Sequence, residues 1–284
     1  MKNACLIILP AYNVESNLPS LLEQLSDYRK SCLFIDDGSE DHTPDILRNS
    51  GFSFVSNAYN QGVSASILAG LNYAIDHGYE KVILMDADGQ HSPLSLPLIT
   101  DALESSDFVF TTRFFDESLA TIPSSKLTSN MLASCLFEVI SGVSIPDVSC
   151  GFKGFKVTTD LIKFLEHTSG YSIIYKIVCF SLLNKKSYRI INTPAIYHYD
   201  SLLFTRASEM DALLSATLEL ADNFDVSIKN LIFDYSRCVR NKESFDIYVS
   251  GIHFHLFFIS EYNGYIIQAP IELLRNRLLS NHVL

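Results

Sequence analysis

The sequence predicts an α/β protein built on a mainly parallel sheet with helices on both faces. Three observations carry this. Short, wholly apolar runs alternate with amphipathic helical patterns through the first half of the chain. These runs are apolar at successive positions, as in strands covered on both sides, rather than at every second one. Several of them end on clusters of Asp, Asn and Gly. With 284 residues, 48% hydrophobic and 19% charged, the chain can bury one large domain, or one domain and a small appendage, and is not of disordered composition.

The elements follow in order. Ala4–Leu9 is a buried strand ending at Pro10. Ser16–Arg29 is a helix, with Leu18, Leu21, Leu22 and Leu25 at core spacing. Ser31–Asp36 is a second strand, Asp41–Asn49 a short helix and Phe52–Ser56 a third strand. Val63–His77 is a helix whose Ile67, Leu68, Leu71, Ala74 and Ile75 share a face, stopped by Gly78. Lys81–Asp86 is a fourth strand, Pro93–Glu104 a helix and Asp107–Thr112 a fifth strand. Helices are expected at Ser125–Ser141, Tyr171–Leu183 and Ser208–Asn223, and strands at Cys150–Lys156 and Tyr188–Asn192.

After about Asp225 the texture changes. Phe245, Ile247 and Val249 alternate with polar residues, and Asn263-Gly264 is a turn signal between His253–Ser260 and Tyr265–Gln268. A β-hairpin and a closing helix at Ile271–Leu279 are expected. The division is therefore a main domain over 1–223 and an extension over 224–284, the latter a candidate surface for homo-oligomer formation or acceptor docking.

Charge narrows the function classes. A formal net charge of -11 with no basic run gives no footprint for nucleic acid. It also repels a diphosphate, so binding one calls for local cations, most simply a divalent metal. The six cysteines are scattered without a CxxC pair, several within apolar runs, which is the pattern of reduced core thiols. No secretory-type segment opens the sequence, and no apolar stretch approaches the roughly 18–20 residues of a membrane span. A cytoplasmic chain is expected, with peripheral membrane contact left open.

In an open parallel sheet, ligands collect at the carboxyl ends of the strands. Four clusters fall there: Pro10-Ala11-Tyr12-Asn13-Val14-Glu15, Asp36-Asp37-Gly38-Ser39, Asn60-Gln61-Gly62 and Asp86-Ala87-Asp88-Gly89-Gln90-His91. A single such cluster is usually a turn or a helix cap. The recurrence is what points to a site. Asp86 and Asp88, two residues apart past a buried strand, can hold Mn²⁺ or Mg²⁺ with positions left for phosphate oxygens. Gly38 and Gly62 permit tight turns or close approach to a ligand, Gly70 reads as helix packing, and Asn60 serves either function or capping.

The sequence resembles the family 2 glycosyltransferases of the GT-A fold, a Rossmann-like architecture, and in particular the dolichyl-phosphate mannose synthase branch. The motifs that carry this are LPAYN, FIDDGSEDHT, NQGVSASILAG, LMDADGQHSP and DVSCGFKGF, within about Leu6 to Asn223. The resemblance implies that Pro10, Tyr12 and Glu15 line a nucleoside pocket and that Asp37 accepts from the base. It implies that Asp86 lies near ribose and metal, that Asp88 is the principal metal ligand and that Gln90 faces the sugar. Asn60 and Gly62 belong to the same donor side.

The acceptor side follows the same branch less closely. Arg113 matches a basic residue after the fifth strand. Lys126, Ser129 and Asn130 match loosely an Arg-x-x-Ser-x-x-x-Asn pattern, with Lys lacking the guanidinium fork. Asp147 and the Cys150–Lys153 run match the segment near the sugar, and Arg206 lies where a closing region is expected. The bland alternative for each basic residue is a solvated charge, more so for Lys153 than for Arg113. Many inverting relatives that use hydroxyl acceptors carry a late catalytic acid, and Tyr171–Lys176 here has none. A hydroxyl needs a base in reach, whereas a phosphate monoester, with a second pKa of about 6, is already ionised. The expectation is an inverting transferase from a GDP- or UDP-sugar to an acceptor such as a polyprenyl phosphate. Asp147 is the alternative base for a hydroxyl acceptor. Other readings are a non-catalytic nucleotide-sugar binder, a sugar nucleotidyltransferase, disfavoured because no Gly-rich basic loop follows the first strand, and a dehydrogenase, disfavoured because no GxGxxG does. His91 and His198 read as loop histidines, with His198 also weighed as a late metal ligand. His253 and His255 share a strand face and read as structural, no acid or cysteine being expected beside them.

Overall fold

The computed structural model describes residues 5–115, 122–194, 196, 205–223 and 237–281. The chain forms two compact units. One comprises Met1–Thr111, Gly151–Ser169 and Lys186–Ile196, the other Thr112–Cys150, Gly170–Lys185 and Tyr197–Leu284.

The first unit is built on a seven-stranded sheet. Its strands are β1 (Cys5–Ala11), β2 (Cys32–Asp36), β3 (Ser53–Ser56), β4 (Lys81–Leu84), β5 (Phe108–Thr112), β6 (Lys153–Lys156) and β7 (Tyr188–Asn192), in the order β3-β2-β1-β4-β6-β5-β7. β1 pairs in parallel with β2 and with β4, so Ile7 lies between Cys32 and Ile83. Ile8, Leu9, Phe34, Val82, Ile83 and Val109 are fully buried, as continuous apolar runs require. The expected strand at Cys150–Lys156 begins only at Lys153 and runs antiparallel between β4 and β5. Its small Gly154 lies under Ile99 and Leu103, where a Cβ would stand 2.6 Å from Ile99 Cγ2.

The helices of this unit are α1 (Leu18–Gln24), α2 (Thr43–Ser50), α3 (Val63–Asp76) and α4 (Leu96–Ser105). The expected long first helix stops at Gln24 and continues as a 3₁₀ segment over Ser26–Ser31. Gly70 of α3 sits so close to β1 that a Cβ would come within 2.5 Å of Ile8 Cγ2, which is the packing role its mid-helix position implied. A short helix missing from the sequence reading covers Thr159–Leu165, within the first unit. Its signal is a Thr158 N-cap, whose side chain accepts from Leu161 N at 3.2 Å, with Asp160 in the first turn.

In the second unit, α5 (Ser124–Ser141) is buried around most of its circumference, including Leu127, Met131, Leu132, Leu136 and Phe137. It is covered by helices over Ala207–Asn223 and Ile271–Asn281 and by an antiparallel sheet. That sheet joins β8 (Thr205–Arg206), β9 (Phe245–Val249), β10 (Ile252–Ile259) and β11 (Gly264–Gln268) in the order β8-β11-β10-β9. The expected Asn263-Gly264 turn closes β10 on β11, with Asn263 left-handed at φ 45°. A second two-residue turn, Ser250-Gly251, has positive φ at both positions and closes β9 on β10. Ile247, Val249, Ile252, Phe254 and Leu256 face inward, while Asp246, Tyr248 and His253 face solvent. Thr128 Oγ1 donates to Ile267 O at 2.9 Å, and Arg277 reaches Glu138 at 2.7 Å, tying the sheet and the last helix to α5. The expected boundary at 223/224 falls at the edge of the described residues. Among those residues no helix is long and apolar enough to cross a membrane.

Replacing Gly70 by Val should cost about 1–3 kcal/mol through overpacking of the α3–β1 contact. Urea denaturation of the variant beside the wild type measures this.

Candidate active site

The first unit has a reversal of strand order between β1 and β4: β2 and β3 lie on one side of β1, β4 on the other. The loops leaving the carboxyl ends of strands at such a reversal are the usual place for a ligand in an open sheet. Those loops carry Tyr12–Glu15 and Asp86–His91.

The β1 and β2 loops are laced together. Asn13, left-handed at φ 52°, donates its N–H to Ser39 Oγ at 3.0 Å, and its Oδ1 accepts from Glu40 N at 2.9 Å. Val14 N donates to Thr43 Oγ1 at 2.9 Å, Glu15 N to Asp41 Oδ2 at 3.1 Å, and His42 N to Glu15 Oε2 at 2.8 Å. Glu15 is thus a loop organiser, while Tyr12 stays exposed beside Pro10. Burial works against the Asp41 charge, but hydrogen bonds from Thr43 and from the Glu15 N–H outweigh it and hold its carboxyl below the usual range. The Asp41 part of the lacing is therefore fully present at neutral pH and is lost as the pH falls through that lowered value.

Asp37 is buried at 4% exposure, and its carboxylate collects three donors. Asn57 Nδ2 lies at 2.8 Å and Gln61 N at 3.0 Å from Oδ1, and Gly62 N at 2.7 Å from Oδ2. A carboxylate has about four acceptor positions, so Asp37 spends most of its capacity on the loop before α3. Asn60 Oδ1 accepts from the same Gly62 N at 3.0 Å, which makes Asn60 a turn residue; the N-cap of α3 is Gly62 itself. Gly38, at φ 70°, passes so close to Tyr59 that a Cβ would lie 2.5 Å from its carbonyl carbon. Only glycine fits there.

At the end of β4, Asp88 Oδ1 accepts from Gln90 N at 2.9 Å, and Asp88 O accepts from Asn17 Nδ2 at 2.9 Å. The Asp86 side chain is 43% exposed. Gly151 approaches it so closely that a Cβ would stand 2.7 Å from Oδ2, which explains glycine in the Cys150-Gly151-Phe152 run. His91, read from the sequence as a loop histidine, is instead buried at 4% exposure, stacks on Phe152 with centroids 5.1 Å apart, and places Nδ1 3.7 Å from Asp86 Oδ2. Two partly exposed carboxylates on one tight loop are a hard-oxygen donor set. They fit Mg²⁺ or Mn²⁺, which take few protein carboxylates and complete their shell with phosphate and water.

The second unit holds the acceptor-side candidates Arg113 and Asp147, and they form one ion pair. Arg113 Nε donates to Asp147 Oδ2 at 2.7 Å and Nη2 to Oδ1 at 2.8 Å, in a bidentate fork. Arg113 N also donates to Oδ2 at 3.2 Å, and Ser149 Oγ to Oδ1 at 3.1 Å. The Asp147 side chain is fully buried and that of Arg113 is 13% exposed. Arg113 is therefore no solvated charge. Lys153, for which that reading seemed stronger, is fully buried within β6. Lys126 and Ser129 lie half-buried on α5. Arg206 pairs through its backbone with Gly264, and His198 lies outside the described residues. Tyr175 lies in the stretch without an acid; its burial, with the charges of Glu209 and Asp147, pushes the phenol well above its usual range, so it remains protonated. A cavity of about 540 Å³ between α1 and α2, lined by Leu22, His42 and Ile46, includes none of the sequence-predicted site residues.

Fold and strand-end loops define a GT-A glycosyltransferase. The glycosyl transferase family 2 model matches residues 6–188, well over half of the chain, and the protein belongs to this family. An uncharacterised protein of Methanocaldococcus jannaschii is 29% identical over 207 residues, 68% of this chain and 87% of its own. The undecaprenyl-phosphate mannosyltransferase of Micrococcus luteus is 26% identical over 162 residues, 54% of this chain and 67% of its own. The polyprenol monophosphomannose synthase of Mycolicibacterium smegmatis is 26% identical over 161 residues, 53% and 61% of the two chains. The last two, by name polyprenol-phosphate mannosyltransferases, are consistent with the branch that the motifs resemble. Among solved structures, glucosyl-3-phosphoglycerate synthase of Mycobacterium tuberculosis, in complex with Mn²⁺, uridine diphosphate and glucosyl-3-phosphoglycerate, superposes with a TM-score of 0.61 over 96% of this chain and 92% of that one. At 13% identity it speaks for the fold.

Asp147→Ala should destabilise the protein by about 3–5 kcal/mol, because it strands a largely buried guanidinium. Exchanging both partners, Arg113→Met with Asp147→Leu, should recover much of that loss in the same denaturation experiment.

Proposed function

We propose that this family 2 glycosyltransferase moves a sugar, with inversion, from a GDP- or UDP-sugar to a phosphate acceptor of the polyprenyl phosphate class. The observation that carries the acceptor is the Arg113–Asp147 fork. The carboxylate that a hydroxyl acceptor would use as its base is buried and neutralised by a guanidinium, which makes it a poor proton acceptor. A phosphate monoester needs no such base. The names of the Micrococcus and Mycolicibacterium relatives, both acting on polyprenol phosphates, favour the same class.

On this reading Tyr12 and Glu15 border the nucleoside, and Asp37 acts by holding the Gln61–Gly62 backbone in place. Asp86 and Asp88 would hold Mn²⁺ or Mg²⁺, a choice supported by the Mn²⁺ complex of the structural neighbour. When bound, the metal neutralises the donor diphosphate on a chain of net charge -11 and stabilises it as it leaves. An acceptor phosphate oxygen forms a bond to the anomeric carbon as the bond to the diphosphate oxygen breaks from the opposite face. The electron pair departs with the nucleoside diphosphate. Arg113, oriented by Asp147, contributes positive charge on the acceptor side, as do Lys126 and Lys153.

Thermal shifts with GDP-, UDP- and CDP-sugars in Mn²⁺ test the donor side. The matched donor at about a hundred times its dissociation constant should add roughly 2.7 kcal/mol. Asp88→Ala should abolish the metal-dependent part while keeping the unliganded melting temperature. An unchanged shift in that variant would remove the metal from Asp88. Asp37→Asn should weaken nucleoside diphosphate binding, read by calorimetry, because an amide cannot accept all three of its donors. Equal affinity would move the nucleoside elsewhere.

A further inference from the structure

We propose that the C-terminal sheet carries a second metal site, for a zinc-class divalent transition ion, made by Asp246, His253 and His255. Among the described residues this is the cluster in which three candidate ligand atoms lie within 4.8 Å of one another. Its carboxylate is the acidic partner that the sequence reading did not find for the two histidines, because Asp246 comes from a different strand.

The register makes the site. The Ser250-Gly251 turn fixes the pairing of β9 and β10, placing His255 directly opposite Asp246 and His253 opposite Tyr248. Residues two apart on a strand share a face, so both imidazoles and the carboxylate stand on the solvent side, while Phe254 and Leu256 point into the core. Asp246 Oδ1 contacts His255 Nδ1 and lies 3.5 Å from His253 Nε2, and the two rings have centroids 4.1 Å apart. For metal–ligand bonds of about 2.0–2.1 Å, tetrahedral ligand atoms lie roughly 3.3 Å apart. The three ligand atoms lie within 4.8 Å of one another, and rotation of these exposed side chains brings them to that spacing.

The chemistry separates this site from the strand-end carboxylates of the first unit. Two imidazoles and one carboxylate favour zinc-class ions, whereas Asp86 and Asp88 offer only hard oxygens. The side chains are open to solvent, 62% for Asp246, 47% for His253 and 44% for His255, so an ion can enter and keep at least one position for water or another ligand. Bound there, it clips β9 to β10 across the hairpin.

The test is calorimetry with Zn²⁺, and visible spectroscopy with Co²⁺, on the untagged full chain. One equivalent should bind, and the stoichiometry and affinity should persist in Asp88→Ala. His253→Ala and His255→Ala should each weaken binding by at least about tenfold; both side chains are exposed, and circular dichroism checks that the fold is kept. Tyr248→His puts a third imidazole, and so a fourth ligand, opposite His253 on the same face and should tighten binding, a gain that unfolding cannot mimic. Absence of Zn²⁺ binding, affinity unchanged in both histidine variants, or binding lost only in Asp88→Ala overturns the proposal.

Discussion

The loops at the strand ends depend on the Asp37 carboxylate. A buried charge is tolerated only when its acceptor positions are filled, and here they are filled by the backbone and side chains of the loop that enters α3. That requirement forces the chain to turn tightly around the carboxylate. It is also why Gly38 must be glycine, since the loop's Tyr59 backbone passes directly over it. The lacing between Tyr12–Glu15 and Ser39–Thr43 adds a second set of constraints on the same wall. Loops that would otherwise adapt are thus held before any ligand arrives, which lowers the entropy cost of binding one.

A different pairing carries the proposal for the acceptor. Arg113 and Asp147 taken separately look like a phosphate cation and a general base. Joined in a bidentate fork they become a guanidinium held in one orientation and a carboxylate whose acceptor positions are taken up by donors. A site organised in this way has less to offer a neutral hydroxyl than an anionic nucleophile that arrives already ionised. On the proposed function, the ion pair links the packing of the second unit to the class of acceptor.

Much of the first unit was legible in the sequence because its strands are buried on both faces. Runs such as Leu6–Leu9 and Val82–Leu84 have no other comfortable conformation. The strand-end acids stood out for the same reason, as polar punctuation after apolar runs. Pairings between distant segments were not legible. Arg113 and Asp147 are separated by 34 residues, and nothing local says that they meet. The antiparallel sense of β6 depends on where its neighbours lie, and the burial of Lys153 follows from that placement rather than from its own side chain. Asp246 meets His253 and His255 only because a Ser-Gly turn sets the register, and a slip of one residue would put the carboxylate on the opposite face. The helix at Thr159–Leu165 did leave a local trace in its Thr158 cap, one too short to stand out from a turn.

The central claim is that the acceptor is a phosphate, activated by its own charge rather than by a protein base. The most direct measurement compares initial rates of sugar transfer from the matched donor, in Mn²⁺, to a polyprenyl phosphate and to the corresponding polyprenol, which differ only in the phosphate. The account predicts product from the phosphate and none above background from the alcohol. Transfer to the alcohol at a comparable rate, lost in Asp147→Asn, would contradict it and make Asp147 the base.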